Sequence, residues 1–216
     1  MGEPVKTPGR RERKALATRR RVLDAAETLF IRDGYTASTM SAIADMADVA
    51  VQTLYAVFGT KRAILTELLA ARVVGEDEAT PLQDREEWQA MKSESDPRLQ
   101  LALLAAIATR IGSRIAALYL VIAAAASSDP EIADMYQRQQ QGRYRDQRVV
   151  ARSLSRKGAV RTGLSEAHAT DILWTLANPH TYRALVHERQ WMTDEYERWL
   201  TQVLISALLE EPAIRD

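Results

Sequence analysis

The sequence predicts an all-α protein, and three observations carry that prediction. Apolar residues recur at three- and four-residue spacing through most of the chain, the period of a helix with one buried face. Helix-start signals punctuate it, clearest at Asp96-Pro97 and Asp129-Pro130, each a capping acid followed by proline at the first helical position. No stretch alternates apolar and polar residues with the period of two that a half-buried strand requires. Composition agrees with a packed chain: of 216 residues, 46% are hydrophobic and 27% charged, outside the range of disordered sequences. There is no cysteine, which excludes disulfides, thiolate metal sites and cysteine nucleophiles and fits a reducing cytoplasm.

Residues 1–14 are polar and basic and read as a flexible arm rather than a secretory signal. Leu16 to Arg32 carries Val22, Leu23, Ala26, Leu29 and Phe30 on one face and stops at Gly34. Thr39 caps a short second helix with Met40, Ile43, Ala44 and Ala47 inward. A third short segment runs from Ala50 to Phe58, and Gly59 ends it. Thr60 caps a connecting helix within 61–74. Residues 75–97 are acidic and poorly periodic and read as a linker or loop with a helical turn around Trp88, which acts as a lid or an anchor. Residues 98–216 hold longer helices. One runs from Asp129 toward Lys157, roughly 40 Å at the helical rise. Ser165 caps another, which Pro179 breaks or kinks. The last carries the regular stripe Tyr196, Trp199, Leu200, Val203, Leu204 and Leu208. About nine helices are expected in all. The longest uninterrupted apolar run, Ile115 to Ala126, falls short of the roughly 20 residues of a spanning helix, so a core helix and no membrane partner are expected.

Net charge is zero but unevenly placed. Met1 to Arg72 holds 12 basic and 8 acidic residues, and the rest of the chain is acidic by the same margin. Arg10 to Arg21 concentrates seven basic residues against one acid. This suits either a polyanion-facing end or a solvated basic tail. Two short helices directly after a basic one suit a helix-turn-helix or a plain helical hairpin. In the first case the helix after Ala50 has to enter a major groove about 12 Å wide. Val49, Leu54, Val57 and Phe58 would form its packed back, with Gln52, Thr53 and Tyr55 outward. Tyr55, Lys61 and the helix starts near Thr39 and Thr60 would supply donors to phosphates.

The stretch RRRVLDAAETLFIRDGYTASTMSAIADMADVAVQTLYAVFGTKRAIL, within Thr18 to Leu65, resembles the DNA-binding domain of the tetracycline-repressor (TetR) family of bacterial regulators. LFIRDGY, then T-M-x-x-I-A-x-x-A, then T-L-Y-x-x-F-G-T-K follow that pattern in order and spacing. The resemblance implies a helix-turn-helix domain over 15–60 followed by a helical-bundle domain for ligand binding and dimerisation. It also implies a cytoplasmic repressor, released from a palindromic operator by a small molecule. Thr39, Ser41, Val51, Gln52, Thr53, Tyr55, Ala56 and Lys61 are then the DNA-contacting candidates. The departures fall on the turn and the recognition helix: Asp48 stands where glycine is usual, Ala50 where a serine cap is usual, and Val51, Ala56 and Val57 at positions often polar, basic or aromatic. Aspartate tolerates the left-handed backbone such a turn needs. The apolar helix shifts the expected affinity toward phosphate contacts and the basic residues Arg10 to Lys14.

Reading a palindrome requires a dimer. The resemblance implies that the last two helices pair with their symmetry mates through Leu173, Leu176, Trp199, Val203, Leu204 and Leu208, although these stripes equally suit the chain's own core. It implies an effector cavity among the central helices, where Arg110, Arg114, Tyr119, Trp174, His180 and Tyr182 are the polar candidates. Arg110 and Arg114, spaced i, i+4, suit an anionic ligand or a surface position with their stems packed down. His180 beside Pro179 also suits a purely structural role. No cofactor, catalytic residue or metal is expected. The three histidines, His168, His180 and His187, form no zinc motif, since Trp191 stands where a second histidine would follow His187-Glu188. A helical-bundle enzyme and a ligand-binding module with a degenerate reading head are the competing functions.

Overall fold

The computed structural model describes residues 9–75 and 82–210. Helices dominate: among the described residues there are ten α-helices, one of them a single turn, and no strand beyond an isolated bridge between Val160 and Leu209. The chain divides near Ala70 into two compact units.

The first unit is built from α1 (Arg10–Asp33), α2 (Met40–Met46), α3 (Val51–Phe58) and the start of α4 (Lys61–Val74). Val22, Ala26, Phe30, Ile43, Leu54 and Leu65 are buried in its core. Helix α1 begins six residues earlier than its apolar stripe predicts. Arg10 to Lys14 are therefore helical rather than part of a flexible arm, while residues 1–8 of that expected arm lie outside the described residues. Unbranched arginine and lysine are good helix formers, so the basic run extends the helix without burying anything.

The second unit is organised around α6 (Pro97–Ala126), which packs against α5 (Glu86–Ser93), α7 (Pro130–Arg156), α9 (Pro179–Tyr182) and α10 (Thr193–Leu208). Helix α8 (Glu166–Leu176) lies against α7 and α10. Each cap legible in the sequence is made: Asp96 accepts from Arg98 N–H, Asp129 from Glu131 and Ile132 N–H, and Ser165 from His168 N–H. Helix α6 is long and apolar enough to cross a membrane, yet its buried positions run from Gln100 to Ala125 through the middle of the bundle.

Two expectations are corrected here, and one feature comes in addition to an expectation that is met. Most of the stretch assigned to a loop over 75–97 is ordered where it is described: a 3-10 turn at Leu82–Asp84 leads into α5, which buries Trp88 and Met91, so Trp88 is a core anchor. Residues 76–81 of that stretch lie outside the described residues. Pro179 does break the helix after Leu176, but the chain then runs as a π-helical segment, Arg183–Glu188, which no sequence signal foretold. Leu173, Leu204 and Leu208 are fully buried within one chain and belong to its core, not to a surface available to a second copy. Leu176, Trp199 and Val203 are half-buried.

Candidate nucleic-acid interface and ligand cavity

The first unit sets up a turn between two short helices by local means. Thr39 caps α2 by accepting from Ala42 N–H at 3.1 Å. Asp48 takes a left-handed backbone, φ 52°, so aspartate does fill the place where glycine is usual. Ala50 has the extended backbone of an N-cap but offers no side-chain acceptor to α3. Gly59, at φ 74°, ends α3, and the Thr60 hydroxyl accepts from Ala63 N–H at 3.0 Å to start α4.

Helix α3 turns Leu54 and Phe58 inward and leaves Gln52, Thr53, Tyr55 and Ala56 exposed, Tyr55 at 52%. Gln52 and Ala56, one turn apart, form the centre of the outward face. Val51 is half-buried at its edge, and Ser41 of α2 is also exposed. Val57, expected in the packed back, is instead 44% exposed; it lines a groove of about 630 Å³ between α1 and α3, whose other walls include Arg11, Lys14, Thr18 and Val22. The reason is geometric: at 100° per residue, Leu54 and Phe58 already fill the arc facing the core.

Two basic residues are anchors. The Lys61 ammonium donates to the carbonyls of Tyr35 and Ser38 at 2.6 and 2.7 Å and lies 4.3 Å from the centre of the Tyr35 ring. It ties the start of α4 to the loop between α1 and α2. Arg19 makes a two-pronged ion pair with Glu67 and lies over the Phe58 ring, bracing α1 against α4. Arg10, Arg11, Arg13 and Lys14 remain exposed on α1.

Residues 22–68 match the family described as bacterial regulatory proteins, tetR family. A 52-residue stretch is 48% identical to the HTH-type transcriptional repressor KstR of Rhodococcus jostii, covering 24% of each chain. Over this segment the chain is similar to tetR-family regulators. The stretch shared with KstR spans about a quarter of that relative's length. The fold of the chain as a whole is shared with solved structures of low sequence identity. FadR of Bacillus subtilis, solved in complex with stearoyl-CoA, superposes with a TM-score of 0.68 at 19% identity, covering 87% of this chain and 98% of that one. NalD of Pseudomonas aeruginosa, the secondary repressor of an efflux pump, gives 0.68 at 18%, covering 92% and 99%.

The second unit contains a cavity of about 220 Å³. Its apolar walls include Trp88, Leu104, Ile107, Ile111 and Ile115, and one edge is polar: Gln139, Arg143, Asp146 and Gln147 of α7. None of the six residues expected there lines it. Arg110 pairs with Glu87 of α5, Arg114 is exposed and lies against Gly75, and Tyr182 packs on Gly112. Tyr119 is buried between Tyr136 and His180, with ring centres 5.5 and 5.2 Å away, and burial raises its phenol's pKa well above the usual value. His180 itself is exposed at the edge of this stack, its pKa lowered by partial burial and by Arg183 and Arg143. Trp174 stacks on the Arg143 guanidinium at 5.1 Å without reaching the lining.

The sequence did carry a signal for Arg143. Met135, Gln139, Arg143, Gln147 and Ala151 form one i, i+4 row of α7 whose two ends are buried and apolar. Polar residues that interrupt such a row mark a polar site inside the core. The signal is masked because α7 also carries Arg138, Arg145, Arg148 and Arg152 on its outer side.

Proposed function

We propose that this protein is a tetR-type DNA-binding transcriptional regulator of the repressor type, acting as a cytoplasmic homodimer released from a palindromic operator by a small molecule. One observation carries the reading: α3 presents Gln52, Thr53, Tyr55 and Ala56 outward from a turn that Asp48 closes with a left-handed backbone, with exposed cations on neighbouring α1. Gln52 reads a base edge in the major groove; Val51 and Ala56 meet thymine methyls; Tyr55, Ser41 and the start of α2 at Thr39 meet phosphates. Two copies on a twofold axis read half-sites about 34–36 Å apart or at a related spacing. With Leu173, Leu204 and Leu208 committed to the core, the face proposed for dimerisation is the half-buried set Leu176, Trp199 and Val203.

The cavity beside α7 is the proposed effector site, which the stearoyl-CoA held by FadR supports as a mode of control. An effector there releases DNA by binding better to the arrangement of the dimer that does not fit the operator. The uncapped α3 and the tethered Lys61 favour a second reading, a ligand-binding module whose reading head has decayed. Footprinting on the DNA flanking the coding region, at moderate salt, separates the two. A protected palindrome supports the regulator, and uniform weak binding supports the module.

A further inference from the structure

The cavity's polar edge contains a cation without a counter-ion. The Arg143 guanidinium is held by neutral groups: Nη1 and Nη2 donate to the carbonyls of Ala177 and Trp174 at 3.0 and 2.8 Å, and the Trp174 ring covers its face. Its Nε–H is buried without a hydrogen-bond partner. The other groups that act on it are the neutral phenols Tyr119, whose hydroxyl is close enough to accept a weak hydrogen bond from it, Tyr136 and Tyr196, and no carboxylate pairs with it among the described residues. Buried charges are ordinarily paired, because desolvating a lone ion is costly. Burial accordingly disfavours the charged form of this arginine. Arginine still keeps its proton at physiological pH, so the missing partner is an anion.

The surrounding groups narrow its chemistry. Gln147 is 6% exposed, and its side-chain oxygen is unpartnered, as is that of Gln139; both residues line the same edge. Either amide presents its NH2 once rotated about its last bond. Asp146, the acid on this edge, already accepts from Gln83 at 2.7 Å, and burial shifts it toward the neutral form. It is thus a weak competitor for a ligand cation. The remaining walls are hydrocarbon, and 220 Å³ is smaller than a drug-sized pocket. We infer that the cavity takes a small monocarboxylate with an apolar body, its carboxylate seated on the Arg143 Nε edge and the side-chain amides of Gln139 and Gln147. This inference rests on the reading of the cavity as the effector site.

Calorimetric titration of the full-length protein with hexanoate, octanoate and phenylacetate, each beside its matched alcohol and amine, tests it. At least one carboxylate is expected to bind about ten- to a hundredfold more tightly than its alcohol, the range of a hydrogen bond to a charged group. The amine is expected to bind most weakly. In Arg143→Gln the preference for the carboxylate collapses to parity. The wild-type ranking stands by itself if that variant fails to fold. Equal binding of acid and alcohol overturns the inference, as does a preference for the amine, which would make Asp146 the recognition group. Failure of all the carboxylates to bind also overturns it. Operator binding measured without ligand tests the regulator reading separately: a carboxylate that binds but leaves DNA bound upholds the ligand class and removes the effector role.

Discussion

Gly112 stands in the middle of α6, where glycine ordinarily weakens a helix by about 1 kcal/mol relative to alanine. A β-carbon there would lie 2.9 Å from Cγ of Tyr182 and 3.0 Å from its Cβ, against a ring that is itself buried and packed on Tyr196. Gly112→Ala is therefore expected to lower stability by about 1–3 kcal/mol despite the better helix former, through overpacking. A urea denaturation series reads this directly, and a stabilised variant would show that the ring gives way freely. Lys61 and Tyr55 make a second contrast at this scale. Lys61→Ala strands carbonyls that the ammonium now satisfies, so it is expected to destabilise the first unit by about 1.5–3 kcal/mol and weaken all DNA binding alike. Tyr55 is exposed, so Tyr55→Phe is expected to weaken DNA binding while leaving the melt within about 0.5 kcal/mol of wild type. Parallel melts and gel shifts of both variants check this; an unchanged melt for Lys61→Ala would mean that the carbonyl contacts contribute little.

At the scale of elements, α3 is the weakly secured one. Its first residue follows Ala50, whose φ of −66° and ψ of 139° already suit a capping residue, yet no side chain receives the free N–H groups. Ala50→Ser is expected to stabilise the first unit by about 0.5–2 kcal/mol, read by thermal denaturation. Elements whose causes are local were legible in the sequence: the caps at Thr39, Asp96, Asp129 and Ser165, and the left-handed turn at Asp48. What escaped depends on distant partners. Helix α5 has only Trp88 and Met91 to bury, and that pair reads as a helix face only once α6 is there to receive it. The inward turn of Arg143 depends on the carbonyls at the end of α8, more than thirty residues away in sequence. The Leu173 and Leu204 stripes were plainly apolar, but periodicity cannot say whether an apolar stripe meets its own chain or another copy.

For the molecule as a whole, that ambiguity becomes an experiment. Val203 is half-buried on α10 beside the fully buried Leu204. If α10 pairs with its symmetry mate, Val203→Glu leaves a folded monomer, whereas Leu204→Ala keeps the assembly and costs about 2–5 kcal/mol of stability through the cavity it opens. Sedimentation velocity with circular dichroism distinguishes these outcomes. The same variant bears on how DNA is held. The chain is neutral, but its first 72 residues carry the basic excess and the remainder the acidic one, and α1 keeps Arg10, Arg11, Arg13 and Lys14 exposed while α3 offers few base donors. Binding led by phosphate contacts releases counterions, so log K is expected to fall linearly with log salt. A dimer making six to ten contacts loses about 10³–10⁵ in affinity between roughly 50 and 200 mM salt. If two protomers each bring the same cations to a half-site, as proposed, the Val203→Glu monomer is expected to show about half the slope of the dimer. A shallow slope in the wild type would mean that base contacts from Gln52 and its neighbours dominate. An unchanged slope in the monomer would mean that one protomer already makes every phosphate contact, and the twofold arrangement on DNA would have to be abandoned.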